Sequence, residues 1–116
     1  MNGTFWTTLD TLVAASPAVI ERPAGSPHPR FPESVYPLDY GFLDGTTAGD
    51  GAGIDVFLGG ADRAAVTGVV CTVDARKRDA EFKVLLDCTP ADARAVEAFL
   101  AWPGSFGCHV LLRGEA

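Results

Sequence analysis

Basic residues are scarce in this chain: nine Lys and Arg stand against fifteen Asp and Glu, for a net charge of −6. A surface of that sign does not hold nucleic acid by bare electrostatics, so no nucleic-acid partner is expected. Sulfur is scarce too. The three cysteines, Cys71, Cys88 and Cys108, are odd in number and lack zinc-type spacing, so neither a disulfide framework nor a Cys/His metal centre is expected. They read as small buried hydrophobes in a reducing compartment. No apolar run approaches the ~20 residues of a membrane span, and no membrane partner is expected. The N-terminus has no basic segment ahead of its first apolar residues, so no signal peptide is expected. Together these absences predict a cytoplasmic protein.

What is present suits one domain over residues 1–116, with 47% hydrophobic and 21% charged residues and enough length for its own core. Phe5, Leu9, Leu12 and Val13 recur at helical spacing beside Trp6. Thr4 is placed to cap that helix and Ser16-Pro17 to end it. An extended segment at 18–22 leads into residues 23–32, where four prolines accompany His28 and Arg30 in a stiff, irregular loop. Strand character returns at 40–43, 54–58, 65–74 and 79–86, and once more at 108–113. Thr89-Pro90-Ala91-Asp92 is a helix start, with a threonine cap, a proline in the first turn and an acid three residues after the cap. Val96, Phe99 and Leu100 give that helix its buried stripe, and Pro103-Gly104 ends it. Trp6 and Trp102, each on a predicted helix, read as covers of the core. The class is α+β, mainly β with flanking helices. A small OB-like barrel of about five strands, closed or partly closed and largely antiparallel, buries both ends of such a chain.

The stretch from Val35 to Leu58 organises the rest. Asp55 lies inside Ile54-Asp55-Val56-Phe57-Leu58, where a carboxylate is costly to bury without a positive partner. Asp50 precedes it across a glycine-rich turn. Further on, only Ala75-Arg76-Lys77-Arg78 separates two strands, which predicts a hairpin with a four-residue loop. Asp74 and Asp79 then stand opposite each other, an unfavourable pairing of like charges that the loop's basic residues or a divalent cation relieves. Asp79, Glu81 and Lys83 share one face of the second strand. Carboxylates from two parts of the chain suggest an oxygen-ligand site for Mg²⁺, with Mn²⁺ as a substitute. Arg30, Lys83, Tyr36 and Tyr40 are residue types that grip phosphate oxygens. Acids for a metal, with cations for phosphate, suggest metal-assisted phosphoryl transfer on a small phosphate-containing substrate.

Over roughly residues 19–86 the chain resembles the soluble, Mg²⁺-dependent inorganic pyrophosphatases of the oligonucleotide-binding-type barrel fold. Tyr36-Pro37-Leu38-Asp39-Tyr40-Gly41-Phe42 is similar to the family's YPxxYG segment, and Asp50-Gly51-Ala52-Gly53-Ile54-Asp55-Val56 to its DGDPxDV signature. Glu21 resembles the early metal-site glutamate and Arg30 the phosphate-binding arginine. Asp74 and Asp79 resemble the later aspartate pair. The resemblance implies hydrolysis of pyrophosphate by metal-activated water, with Asp55, Arg30, Tyr40 and Lys83 as its catalytic residues. It implies Asp50, Asp55 and Asp79 on the first metals, Asp74 on another and Glu21 acting through water. It implies Arg30, Tyr36, Tyr40 and Lys83 at the phosphates, and a homo-oligomer.

The chain departs from that pattern in several places. Ala52 stands at the family's presumed base and Gly53 at its proline. The segment between Glu21 and Tyr36 is shorter and lacks a hairpin carrying a lysine and a second glutamate. Lys83 is two residues further from Asp79 than the family's lysine, and the late Tyr–Lys pair has no counterpart. Losing a general base costs ~10²–10⁴-fold in rate, so weak activity is expected. The alternatives are a non-catalytic barrel that binds a metal or phosphate ligand, and a hydrolase of a larger phosphoanhydride such as a nucleotide. His28 reads as a surface-loop residue, or alternatively as a ligand contact, and His109 as structural. Arg76, Lys77 and Arg78 read as a solvated hairpin tip, or alternatively as guards of a cleft entrance for anions.

Overall fold

The computed structural model describes residues 3–101 and 106–114. Helix α1 (Gly3–Ala14) is followed by strands β1 (Ala18–Arg22), β2 (Asp39–Leu43), β3 (Ile54–Leu58), β4 (Val66–Asp74) and β5 (Asp79–Leu86), then helix α2 (Pro90–Leu100) and strand β6 (Phe106–Leu112). The strands form one six-stranded sheet in the order β1-β2-β3-β5-β4-β6. The protein is therefore mainly β with two helices, as predicted. Its sheet has six strands rather than about five, and it is not fully closed.

Every pairing is antiparallel except one: β3 and β5 run parallel, with Val56 opposite Val84. The chain leaves β3, crosses to β4 on the far side, and the hairpin then inserts β5 between them. This makes β3 and β5 central strands, covered on both faces. Val84, Leu85 and Leu86 are accordingly buried in succession, which alternation alone does not produce. On one face, Val56, Val69, Val84 and Leu86 pack with Trp6, Leu9 and Val13 of α1. On the other, Phe57, Val70 and Leu85 pack with Tyr36 and with Ala93 and Val96 of α2.

The ends of the helices follow local chemistry. Ser16 donates its hydroxyl to the Leu12 carbonyl at 2.7 Å, closing α1 just before Pro17. Thr4 lies within α1 rather than capping it, and its carbonyl accepts from the Thr7 hydroxyl. Helix α2 starts on the predicted capping box: the Thr89 hydroxyl accepts from the Asp92 N–H, and the Asp92 carboxylate accepts from the Thr89 N–H. Trp102 and Pro103-Gly104 lie outside the described residues. Among the described residues, no helix is long and apolar enough to cross a membrane.

Two backbone constraints set the frame of the site. A side chain at Gly41 would place its Cβ 1.8 Å from the Val19 carbonyl oxygen, so only glycine lets β1 lie on β2 there. Asp87, buried and at a positive φ of 55°, accepts N–H groups from Arg63, Ala64 and Ala65 at 3.1, 2.9 and 3.0 Å. It thereby ties down the turn that carries the chain from β3 to β4. All three cysteines are free, but only Cys88 is buried; burial pushes its thiol up to about 12. Cys71 and His109 pair across β4 and β6 and are both exposed, so Cys71 is not the buried hydrophobe read from the sequence.

Candidate functional site

The α2 face of the sheet gathers Tyr40, Asp55 and Lys83. In the β2–β3 ladder Tyr40 sits opposite Phe57 and Phe42 opposite Asp55. The parallel β3–β5 register then places Asp55 beside Lys83. The Lys83 ammonium donates to Asp55 Oδ2 at 2.7 Å and to Glu81 Oε1 at 3.0 Å, and Lys83 is only 7% exposed. This is the positive partner that a carboxylate in the β3 run requires. Burial by itself would lower the ammonium's pKa. The charge and hydrogen bond of Asp55, followed by those of Glu81, outweigh it, and the net shift is upward. Tyr40 is affected in the same direction: burial, then the neighbouring Asp55 charge, hold its phenol well above its usual range, so it remains a protonated donor. Its ring centroid lies 6.0 Å from the Lys83 nitrogen.

The other predicted acids have local partners. Asp50 is exposed, and its Oδ1 accepts from the Ala52 N–H at 3.0 Å. Asp74 and Asp79 do stand opposite each other. Asp74 Oδ1 accepts the N–H groups of Arg76 and Lys77 at 3.0 and 3.1 Å, so the loop's own backbone relieves part of the like-charge opposition. Asp79 and Glu21 are exposed. Asp79 lies on the same face as Lys83, but four residues away along β5, a distance of about 13 Å at about 3.3 Å per residue. Among the described residues no group of three or more His, Cys, Asp or Glu side chains stands close enough to hold a metal ion. Asp50, Asp55, Asp74, Asp79 and Glu21 thus do not form the shared donor set expected from the sequence, and they do not fit a common Mg²⁺ centre as arranged here. The physical reason is that the neighbour of Asp55 is an ammonium rather than a second carboxylate.

Next to this ion triad a cleft of about 500 Å³ opens between the 23–37 loop, the β4–β5 hairpin and the end of α2. Among the described residues its charged lining is Arg30, Arg76, Lys77 and Lys83 against one acid, Asp74. Its remaining walls are largely the rings of Phe31, Tyr36, Tyr40, Phe57, Phe99 and Phe106. Of the residues predicted at phosphate, Arg30, Tyr36, Tyr40 and Lys83 all reach the cleft. Of those predicted at metal, only Asp74 does.

The sequence reading ranked several of these contributors low or missed them. His28 takes its alternative reading: it lines the cleft and stacks on Tyr36, with ring centroids 5.9 Å apart and planes 7° apart. Its Nδ1 accepts the N–H groups of Arg30 and Phe31 at 3.0 and 3.2 Å, which places the proton of the neutral ring on Nε2. Burial first, then the charges of Arg22 and Arg30, lower its pKa. Arg76 and Lys77 belong to the cleft wall, the alternative reading of the hairpin tip, while Arg78 does not line it. Phe99 was legible only as part of a buried stripe. For Phe31 the one available signal was its place next to Arg30 in the loop; Phe106 carried no signal.

The fold has solved counterparts. It is similar to an inorganic pyrophosphatase from Neisseria gonorrhoeae, with a TM-score of 0.62 and 20% identity over 78% of this chain and 77% of that one. It is also similar to an inorganic pyrophosphatase from Coxiella burnetii, with a TM-score of 0.56 and 19% identity over 80% of this chain and 81% of that one. No protein-family model and no curated protein matches the sequence. At such identity the likeness establishes a pyrophosphatase-like fold, and the chemistry has to be argued from the side chains.

Proposed function

We propose that this chain binds a small phosphate-bearing anion in the cleft between the 23–37 loop and the β4–β5 hairpin. The observation that carries this reading is the sign of the cleft: among the described residues, four Lys and Arg side chains line it against one acid, in a chain whose net charge is −6. Lys83 is engaged by Asp55 and Glu81, whereas no ion pair among the described residues involves Arg30, Arg76 or Lys77. Guanidinium forks match phosphate oxygens, and aromatic walls lower the local dielectric and strengthen the attraction. Lys83 has three N–H donors, two of them engaged by Asp55 and Glu81, and its third remains for a ligand at the β2–β5 wall, where Asp55 also holds the Tyr40 hydroxyl.

Titration calorimetry with inorganic phosphate and pyrophosphate, in buffer containing a chelator, tests the reading. Binding that weakens steeply with salt, and falls at least tenfold in Arg30→Ala/Lys77→Ala, supports it. No binding, or equal affinity in the double variant, overturns it.

Mg²⁺-dependent hydrolysis of pyrophosphate is the second reading, favoured by the likeness of the fold to solved pyrophosphatases and by the facing Asp74–Asp79 pair. It requires the carboxylates to regroup around Mg²⁺ or Mn²⁺, and the commitment of Asp55 to Lys83 together with Ala52 weighs against it. Phosphate release from pyrophosphate, measured with either metal and repeated on Asp55→Ala, decides it. Release that disappears in the variant supports hydrolysis, and equal rates end the idea.

A further inference from the structure

We infer that the ligand of this cleft carries a planar aromatic ring as well as phosphate, that is, a nucleotide-class molecule rather than pyrophosphate. The inference rests on the phosphate-binding reading above and adds the chemistry of the other half of the ligand. A pyrophosphate ion has no apolar surface. It gains from the guanidinium and ammonium groups but only loses hydration against aromatic walls. Among the described residues six aromatic rings nonetheless wall the cleft, four of them with exposed surface.

Charge and rings share the same walls. Among the described residues, the lining cations outside any ion pair are Arg30 of the loop and Arg76 and Lys77 of the hairpin tip. The rings come from the loop, the sheet floor, α2 and the start of β6, and Arg30 lies over the Phe31 ring, 5.9 Å from its centroid. Tyr36 and Phe57 are buried and form a rigid base. Tyr40 packs on both, with ring centroids 5.2 and 4.9 Å away. Phe31, Tyr40, Phe99 and Phe106 are each only partly buried, so they keep surface facing the cleft. Rings fixed by such packing are ordered before a ligand arrives, which lowers the entropy lost on binding. A cleft of about 500 Å³ lies in the range of about 300–1,000 Å³ that encloses molecules of nucleotide size. Stacking on a phenyl or phenol face tolerates any base, because every base has a π-face. The structure therefore predicts a preference for ring plus phosphate over either alone, with little discrimination between purines.

The test is calorimetric titration of the intact chain, in chelator, with ATP, GTP, ribose 5-phosphate, adenosine and pyrophosphate. ATP and GTP are expected to bind about equally, and at least tenfold tighter than ribose 5-phosphate, adenosine or pyrophosphate. Phe31→Leu keeps apolar bulk in the loop while removing a ring. It is expected to weaken ATP at least fivefold and pyrophosphate by a clearly smaller factor. Phe106→Leu gives the same comparison from another wall, and circular dichroism melts confirm that both variants fold. If pyrophosphate binds as tightly as ATP, or both leucine variants bind ATP normally, the ring inference falls while phosphate binding stands. If adenosine matches ATP, or if no phosphate-bearing probe binds, the phosphate reading falls and takes this inference with it. A single-stranded oligonucleotide binding tighter than ATP overturns the inference in favour of a polymer.

Discussion

Lys83→Met keeps the buried stem of the side chain and deletes the ammonium that Asp55 and Glu81 engage at 2.7 and 3.0 Å. Two carboxylates, both drawn to one nitrogen in the native protein, would then face each other without it. Removing one partner of a buried ion pair costs about 3–5 kcal/mol. Here the two acids keep 24% and 25% of their side-chain exposure, so water screens part of the repulsion and the lower end applies, about 3 kcal/mol. In a domain of this length that corresponds to a fall in Tm of about 12 °C, at about 4 °C per kcal/mol. Asp55→Asn added to Lys83→Met removes one of the stranded charges and should recover about half of the loss.

The pH dependence supplies an independent check. Folding raises the Lys83 pKa above its ordinary 10.5. A raised basic group contributes its full stabilisation below the unfolded value and loses it as pH climbs through the folded one. The stability gap between wild type and Lys83→Met should therefore stay level from about pH 7 to about pH 9 and narrow above the ordinary value of 10.5. Urea denaturation of both proteins at about pH 7, 9 and 11 measures it. A gap below about 0.5 kcal/mol at neutral pH, within the range of an ordinary surface substitution, would refute the reasoning. So would a gap that is undiminished at the most alkaline point.

Gly41→Ala drives a Cβ to 1.8 Å from the Val19 carbonyl oxygen; because the obstacle is backbone, it should cost about 3 kcal/mol, the upper end for overpacking, and amide exchange should show β1 losing protection before the rest of the sheet. Asp87→Ala strips three N–H groups of their acceptor and should cost about 2–4 kcal/mol, since bonds to a charged group are worth about 1.5–3 kcal/mol each and do not add fully; limited proteolysis should then cut first within residues 59–65. Thr89→Ala removes the hydroxyl half of the α2 capping box, leaving the Asp92 N–H without its acceptor, and should lower stability by about 1 kcal/mol in urea titrations, without altering pyrophosphate or nucleotide affinity.

The legible parts of the fold are those set by short-range chemistry. The bounds of β5, the four-residue hairpin loop and the Thr89–Asp92 cap each depend on residues within a few positions of one another, and each is found where the sequence places it. The parallel β3–β5 pairing is not of that kind. It depends on β4 passing beyond β5, which no local pattern encodes, and the partner of Asp55 depends on it in turn, because Lys83 is 28 residues away.

That long-range step also explains why the site could be legible by residue type and still differ in its chemistry. Alternation assigns Asp79, Glu81 and Lys83 to one face of β5, and the structure keeps them there. A slip by one residue would have turned every side chain to the opposite face and been visible in the hydrophobic pattern. An offset by an even number preserves the face, so alternation alone does not exclude it. Placing Asp79 beside Asp55 needs an offset of four positions, which the buried run Val84-Leu85-Leu86 opposes, because it would carry Ala80, Glu81 and Phe82 to those places. In one arrangement two carboxylates meet and need an added cation. In the one found, the chain supplies the cation itself, the remaining acids turn to nearby N–H groups or to solvent, and the neighbouring cleft is left with an excess of positive charge. Register, more than composition, decides here whether such a sheet gathers metal ligands or presents a face to an anion.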